Sequence, residues 1–208
     1  MWTHTKESQE KMTPREALDY LKEGNLRFVN NLQTDRNLLK QVNLTSEGQF
    51  PFATILSCID SRTSAELIFD QGLGDIFSIR IAGNVLNTDI LGSMEYACGL
   101  AKSKIIVVLG HTNCGAVISA CNNLEIGHLT SLLNKIKPAV ESESTVTDNR
   151  TGSNPDFVSK VSTANVKHTI RQIRAQSPII KDLEEKGDII ITGGLYSVET
   201  GVVIFFDN

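Results

Sequence analysis

Apolar residues are distributed along this chain in two rhythms. Compact apolar runs of five or six residues predict strands at Phe52–Ser57, Ile76–Ile81, Ile105–Leu109, Asp188–Thr192 and Val202–Phe206. Between them, apolar positions recur with helical spacing. Helices are predicted near Ser64–Phe69, Asp89–Ala101, Ala116–Asn122, Leu129–Val140, Asn165–Gln176 and Ile179–Lys186. The first three strands are almost wholly apolar and are separated by helical stretches. That pattern belongs to an α/β protein with a mostly parallel central sheet flanked by helices. Gly193-Gly194 and Glu199-Thr200-Gly201 join the last two strands, so a hairpin or C-terminal edge extension is expected there.

Ahead of the strands, Thr13, Pro14 and Glu16 spell a capping box with proline in the first turn. Ala17, Leu18, Leu21, Leu26, Phe28 and Val29 supply an apolar side, with Gly24 a weak point inside it. Residues 1–35 therefore form a helical arm, expected to lie across the body or across a partner subunit. The polar segment Glu141–Asp156 reads as a surface loop too short for a domain boundary. The whole of 1–208 is expected to be one domain.

Composition narrows the function classes. The formal net charge is −4 with no basic cluster, which argues against nucleic acid as a partner. No apolar stretch reaches membrane-spanning length, and the first residues lack an apolar signal core, so a cytoplasmic location is expected. Four cysteines in such a compartment point to metal binding or packing rather than disulfides. Cys98 and Cys121 fall in helical stretches, spaced as small buried hydrophobes.

Cys58, His111 and Cys114 are different. Cys58 opens Cys58-Ile59-Asp60-Ser61-Arg62 directly after one apolar run, and His111-Thr112-Asn113-Cys114-Gly115 follows another. In open parallel sheets, ligands bind beyond the carboxyl ends of strands. Two thiolates and an imidazole there are three ligands for zinc, one short of a closed site. Asp60 and Arg62 alternate with Cys58 along an extended strand end and can face the same way. Held by the Arg62 fork, Asp60 stays off the metal and can orient a reactive oxygen; released, it can close the tetrahedron as a fourth ligand at low pH. The residues encode both an open catalytic site and a closed structural zinc module. Two thiolates formally neutralise the ion and weaken it as a Lewis acid. Its water should ionise above the pKa of about 7 reached with three histidines, giving an alkaline-leaning activity.

Cys-x-Asp-Ser-Arg followed by His-Thr-x-Cys-Gly resembles the β-class carbonic anhydrases. The likeness extends through Ala17-Leu18, Gly24–Phe28, Gly74–Phe77, Arg80, Ala82-Gly83-Asn84, Ser93–Ala97, Ser177-Pro178-Ile179 and Gly193–Tyr196 to Thr200-Gly201. The resemblance implies reversible hydration of carbon dioxide to bicarbonate and a proton by zinc-bound hydroxide. Cys58, His111 and Cys114 would hold zinc, Asp60 would orient the nucleophile, Arg62 would hold Asp60, and the Gly115 amide could contact a substrate oxygen. Gln49, nine residues before Cys58, resembles a substrate-binding glutamine of the plant-like branch, and Phe77 and Tyr96 resemble aromatic pocket positions there. In that branch these three enter from a neighbouring subunit, which implies a homodimer as the catalytic unit, with a tetramer as a further possibility. The bicarbonate-inhibited branch carries a tryptophan where this chain has Ile55; the single tryptophan here is Trp2. Ile59 and Ala82 depart from the more usual residues, and Ala82 could widen the pocket. A carbon disulfide or carbonyl sulfide hydrolase would use the same scaffold. His4, His128 and His168 are proton-shuttle candidates by residue type alone.

Overall fold

The computed structural model describes residues 3–206; Trp2 lies outside them. Among the described residues, three helices precede the first strand. Short α1 (Lys6–Lys11) starts at a Thr5 cap and was hidden in sequence because it is almost entirely polar. The capping box at α2 (Pro14–Val29) forms: Thr13 Oγ1 accepts from the Glu16 amide and the Glu16 carboxylate accepts from the Thr13 amide. This helix packs on its own chain. Ala17, Leu18 and Leu21 share a core with Phe52, Ile55 and Ile105. Gly24 is the point of closest approach, because a Cβ there would lie 1.8 Å from the Phe69 carbonyl oxygen. The residue that weakens the helix in isolation is what lets it seat. Asn25 reaches across to the Ile68 and Gly201 carbonyls and accepts from the Val203 amide. A further unpredicted helix, α3 (Leu38–Leu44), is capped by Asn37 and leaves Leu38, Leu39, Val42 and Leu44 exposed.

The sheet contains β1 (Ala53–Ser57), β2 (Ile76–Arg80), β3 (Ile105–His111), β4 (Ile190–Tyr196) and β5 (Val203–Phe205), in the order β2-β1-β3-β4-β5. The first four are parallel and β5 is antiparallel to β4, so the C-terminal extension is an edge hairpin. Every residue of β1 and β3 is buried, as expected for strands covered on both faces. Gly193-Gly194 does not form the turn. Both residues lie inside β4, where added Cβ atoms would meet Val166 Cγ1 at 2.6 Å and Val203 Cγ1 at 3.1 Å. The turn falls at residues 197–202, with Gly201 at φ 77°.

The crossovers are α4 (Ala65–Ile68), α5 (Thr88–Glu95) running into a π-helical segment Tyr96–Leu100, α6 (Gly115–Cys121), α7 (Gly127–Leu133), α8 (Lys137–Ser142), α9 (Pro155–Gln176) and α10 (Pro178–Glu185). The helix expected over Leu129–Val140 is two helices. Pro138 has no amide hydrogen for a carbonyl four residues back, so it is accommodated in the first turn of α8. Helix α9 begins well before Asn165, since Asn154 caps it by accepting from the Asp156 and Phe157 amides. The polar loop shortens to residues 143–154. No helix among the described residues is long and apolar enough to cross a membrane.

This order puts a topological switch between β1 and β3. The chain leaves β1 towards β2 on one side and later returns to β3 on the other. A crevice at the carboxyl ends of the strands follows from that reversal.

Candidate metal centre

Cys58 follows β1 and His111 ends β3, and parallel pairing of Ser57 with Leu109 brings the two ends together. Asn113, in the left-handed region at φ 55°, turns the chain after His111 and places Cys114 at the start of α6. The ligand atoms of Cys58, His111 and Cys114 all lie within 4.8 Å of one another, and all three residues are buried. The two sulfurs are 3.9 Å apart and both cysteines are free thiols.

The imidazole is oriented for coordination. His111 Nδ1 lies 2.9 Å from the Thr112 carbonyl oxygen. A carbonyl only accepts, so Nδ1 carries the proton and Nε2 presents a lone pair. Nε2 is buried without a hydrogen-bond partner in the protein. A buried acceptor aimed at two sulfurs is what a metal ligand requires, and a carbonyl behind the ring is its usual support. The soft donor set fits zinc. Thr112 is itself fixed, its amide donating to the Tyr196 carbonyl and its hydroxyl accepting from the Val198 amide.

The thiols are unequal. Hydrogen bonding from Cys114 pulls the Cys58 thiol down to about 4 against burial, helped by the Gly83 and Asp60 amides. Cys114 is pushed up, first by that same bond to Cys58 and then by burial. The pair shares one proton where a cation would take its place.

Asp60 stands outside the ligand cluster. Arg62 donates from Nε to Oδ1 at 2.9 Å and from Nη2 to Oδ2 at 2.7 Å, and its backbone amide donates to Oδ1 at 3.0 Å. These bonds hold the carboxyl well below the usual carboxylate range. Arg80 and Thr63, which sequence reasoning had not nominated, secure the loop. Arg80 donates to the Cys58 and Asp60 carbonyls at 3.0 and 2.6 Å, and the buried Thr63 hydroxyl donates to the same two carbonyls. Arg80 ends the strand beside β1, so its place at the same sheet end was the available signal.

Gly115 is exposed at the start of α6, with nothing within 4 Å of where a Cβ would be. The remaining candidates are not gathered at this centre. Gln49 is exposed before β1, at the amino end of the strand whose other end leads to Cys58. Phe77 pairs with Thr54 in the first half of β1 and packs edge-on against Tyr96, with ring centroids 6.3 Å apart. Tyr96 is 56% exposed.

A mostly parallel sheet with two thiols and an imidazole gathered at its switch point defines an α/β protein with a candidate metal centre. Comparison with known proteins narrows this. The sequence model of the carbonic anhydrase family matches residues 53–203. Carbonic anhydrase 2 of Mycobacterium tuberculosis is 35% identical over 202 residues, covering 94% of each chain. The fold superposes on the Coccomyxa β-carbonic anhydrase bound to acetazolamide with a TM-score of 0.72, at 21% identity over 92% of this chain and 82% of that one. It also matches a tetrameric β-carbonic anhydrase of Sordaria macrospora with a TM-score of 0.69, at 24% identity over 81% and 90% of the two chains. This chain belongs to the β-carbonic anhydrase family.

Proposed function

We propose that this carbonic anhydrase converts carbon dioxide and water reversibly to bicarbonate and a proton at the Cys58–His111–Cys114 centre, as a homodimer. The observation that carries the reading is the two-bond clamp of Arg62 on Asp60 beside three ligands. Zinc bound there supplies the Lewis acidity that lowers the pKa of a water. The chain supplies the rest. Asp60, ionised and held by Arg62, accepts a hydrogen bond from the attacking oxygen and fixes its direction. The new C–O bond forms on carbon dioxide and one proton leaves to solvent. The Gly115 amide, on an unobstructed helix start, donates to a substrate oxygen. Released by Arg62, as expected at low pH, Asp60 would be available as a fourth residue to hold the metal.

Gln49, Phe77 and Tyr96 bind substrate in the second copy's site, as in the plant-like branch; their placement away from this chain's own cluster supports that. Exposed Leu38, Leu39, Val42 and Leu44 on one short helix support burial by a second copy. Dimers pair further into tetramers, as the Sordaria relative does. A cytoplasmic location rests on cysteine usage: four cysteines that read as metal ligands and core residues rather than as a disulfide framework.

Stopped-flow carbon dioxide hydration tests the activity. Acceleration over buffer that scales with zinc content is expected. No acceleration from protein carrying one zinc per chain would overturn the proposal.

A further inference from the structure

Helix α9 presents an apolar face to the sheet: Val158, Val161, Val166, Ile170 and Ile173 are all buried. Three polar side chains interrupt it, of which Ser162 donates back to the Val158 carbonyl of its own helix and the other two reach outward. Asn165 and Thr169, one turn apart on the same side, are 1% and 2% exposed. Burying an amide and a hydroxyl there is unfavourable unless each is bonded. Asn165 Nδ2 donates to the Gly83 carbonyl at 2.8 Å and Thr169 Oγ1 donates to the Asn84 carbonyl at 3.3 Å. Because a carbonyl can only accept, the nitrogen of the Asn165 amide must face Gly83.

Those two carbonyls belong to the 3₁₀ turn Ala82–Asn84 that follows β2. Both Gly83 and Asn84 have left-handed backbones, at φ 66° and 43°. A Cβ at Gly83 would lie 2.7 Å from Ile136 Cδ1 and 3.2 Å from Ala116 Cβ, so the turn is wedged between α6 and the residue preceding α8. In this conformation the Gly83 amide donates to Cys58 Sγ at 3.4 Å. The helix can reach the turn because the sheet beneath it is thinned. Cβ atoms at Gly110 and Gly193 would meet the Val166 methyls at 2.7 and 2.6 Å.

We infer that Asn165 is a positioning residue for the metal centre: by holding the Gly83 carbonyl it aims the Gly83 amide at the Cys58 sulfur. An N–H···S bond withdraws charge from a thiolate ligand. With two thiolates on one ion, that withdrawal makes the metal a stronger Lewis acid than its ligand set alone would give. The inference rests on Cys58 being a metal ligand.

The test uses the zinc protein and its cobalt(II)-substituted form. Asn165→Leu keeps the volume and loses the donor; Asn165→Ala serves if the leucine variant does not fold; Thr169→Val removes only the neighbouring bond. Sulfur-to-cobalt charge-transfer bands should move to longer wavelength in the Asn165 variants, because an unbonded thiolate is more electron-rich. Zinc loss to a chelator should nonetheless be roughly 10–100-fold faster, because Cys58 loses the contact that holds its sulfur in place. Thr169→Val should show much smaller changes. Bands and zinc loss equal to wild type in folded Asn165 variants would overturn the inference and leave the metal centre standing. Wild-type protein that took up no cobalt would overturn the metal centre as well.

Discussion

Arg62 grips both carboxylate oxygens of Asp60, two residues away on the same strand-end loop, and half of the Arg62 side chain remains open to solvent. The clamp decides what Asp60 can do beside the metal ligands. With both oxygens engaged, Asp60 is an anionic acceptor of fixed direction; only its remaining lone pairs are available to a reacting oxygen.

Asp60→Asn should therefore retain one zinc per chain and lose turnover by about 100-fold. The loss should be uniform from about pH 6 to pH 9. The Arg62 bonds hold the carboxyl well below its ordinary value of about 3.9. A depressed group is charged above that value and loses its charge only as pH falls through the lower one, so it does not titrate in the working range. Stopped-flow rates across that range check this. A variant that recovers wild-type rates at either end would show that Asp60 acts by titrating rather than by orienting.

Metal uptake at neutral pH should release about one proton from the cysteine pair rather than two. Without metal, Cys58 is already a thiolate, at about 4, while Cys114 is held protonated well above neutrality. Two unperturbed thiols, near 8.5, would each give up a proton. Titration calorimetry of zinc into apoprotein, in buffers of different ionisation enthalpy, counts the protons. In Cys114→Ser the thiol contribution should fall to near zero, and a count of two in the wild type would contradict the shared-proton pair.

The sequence read most of this centre because its parts are local. Cys58, Asp60 and Arg62 lie within five residues, and His111 and Cys114 within four, each group at the end of a run too apolar to be anything but a buried strand. What remained hidden depends on long-range packing. Gly193-Gly194 has the composition of a turn, yet it is strand because Val166 and Val203 press against it. Arg80 looked like an ordinary strand-end charge until the β1–β2 register set it beside the Cys58 carbonyl. Gly24 read as a flaw in the helix because the Phe69 carbonyl it accommodates is distant in sequence. No local pattern marked Asn165, which the helical periodicity counted only as a starting boundary.

The segment after α2 is tied down by one buried carboxylate. Asp70, itself left-handed at φ 45°, accepts from Arg27, Arg36 and the Thr34 amide and hydroxyl. Burial would raise its pKa, but these donors outweigh that and hold it below the ordinary carboxylate value. Asp70→Asn leaves two guanidiniums without their counter-charge and should cost about 3 kcal/mol at pH 7. The wild type has this stabilisation above about pH 4 and loses it as the pH falls through the depressed value, so the gap should close in acid. Urea unfolding at pH 7 and near pH 3 measures both points; a gap independent of pH would rule out the ion pairs as its source.

Helix α3 leads directly into Gln49, and this is where dimerisation and catalysis should meet. Leu39 is 72% exposed and Val42 48%, although both sit on a capped and ordered turn. An isolated seven-residue helix has little reason to form with its apolar side in water. Burial of that side against a second copy would fix the strand-ward path of residues 45–49 and with it the direction of Gln49. The double substitution Leu39→Asp, Val42→Asp should give a folded monomer by sedimentation and circular dichroism, with zinc retained through Cys58, His111 and Cys114. Its carbon dioxide hydration should fall at least 10-fold, because Gln49, Phe77 and Tyr96 lie away from the chain's own ligands and no second copy supplies them. A monomer with undiminished activity would place the complete site within one chain and exclude the dimer as the catalytic unit.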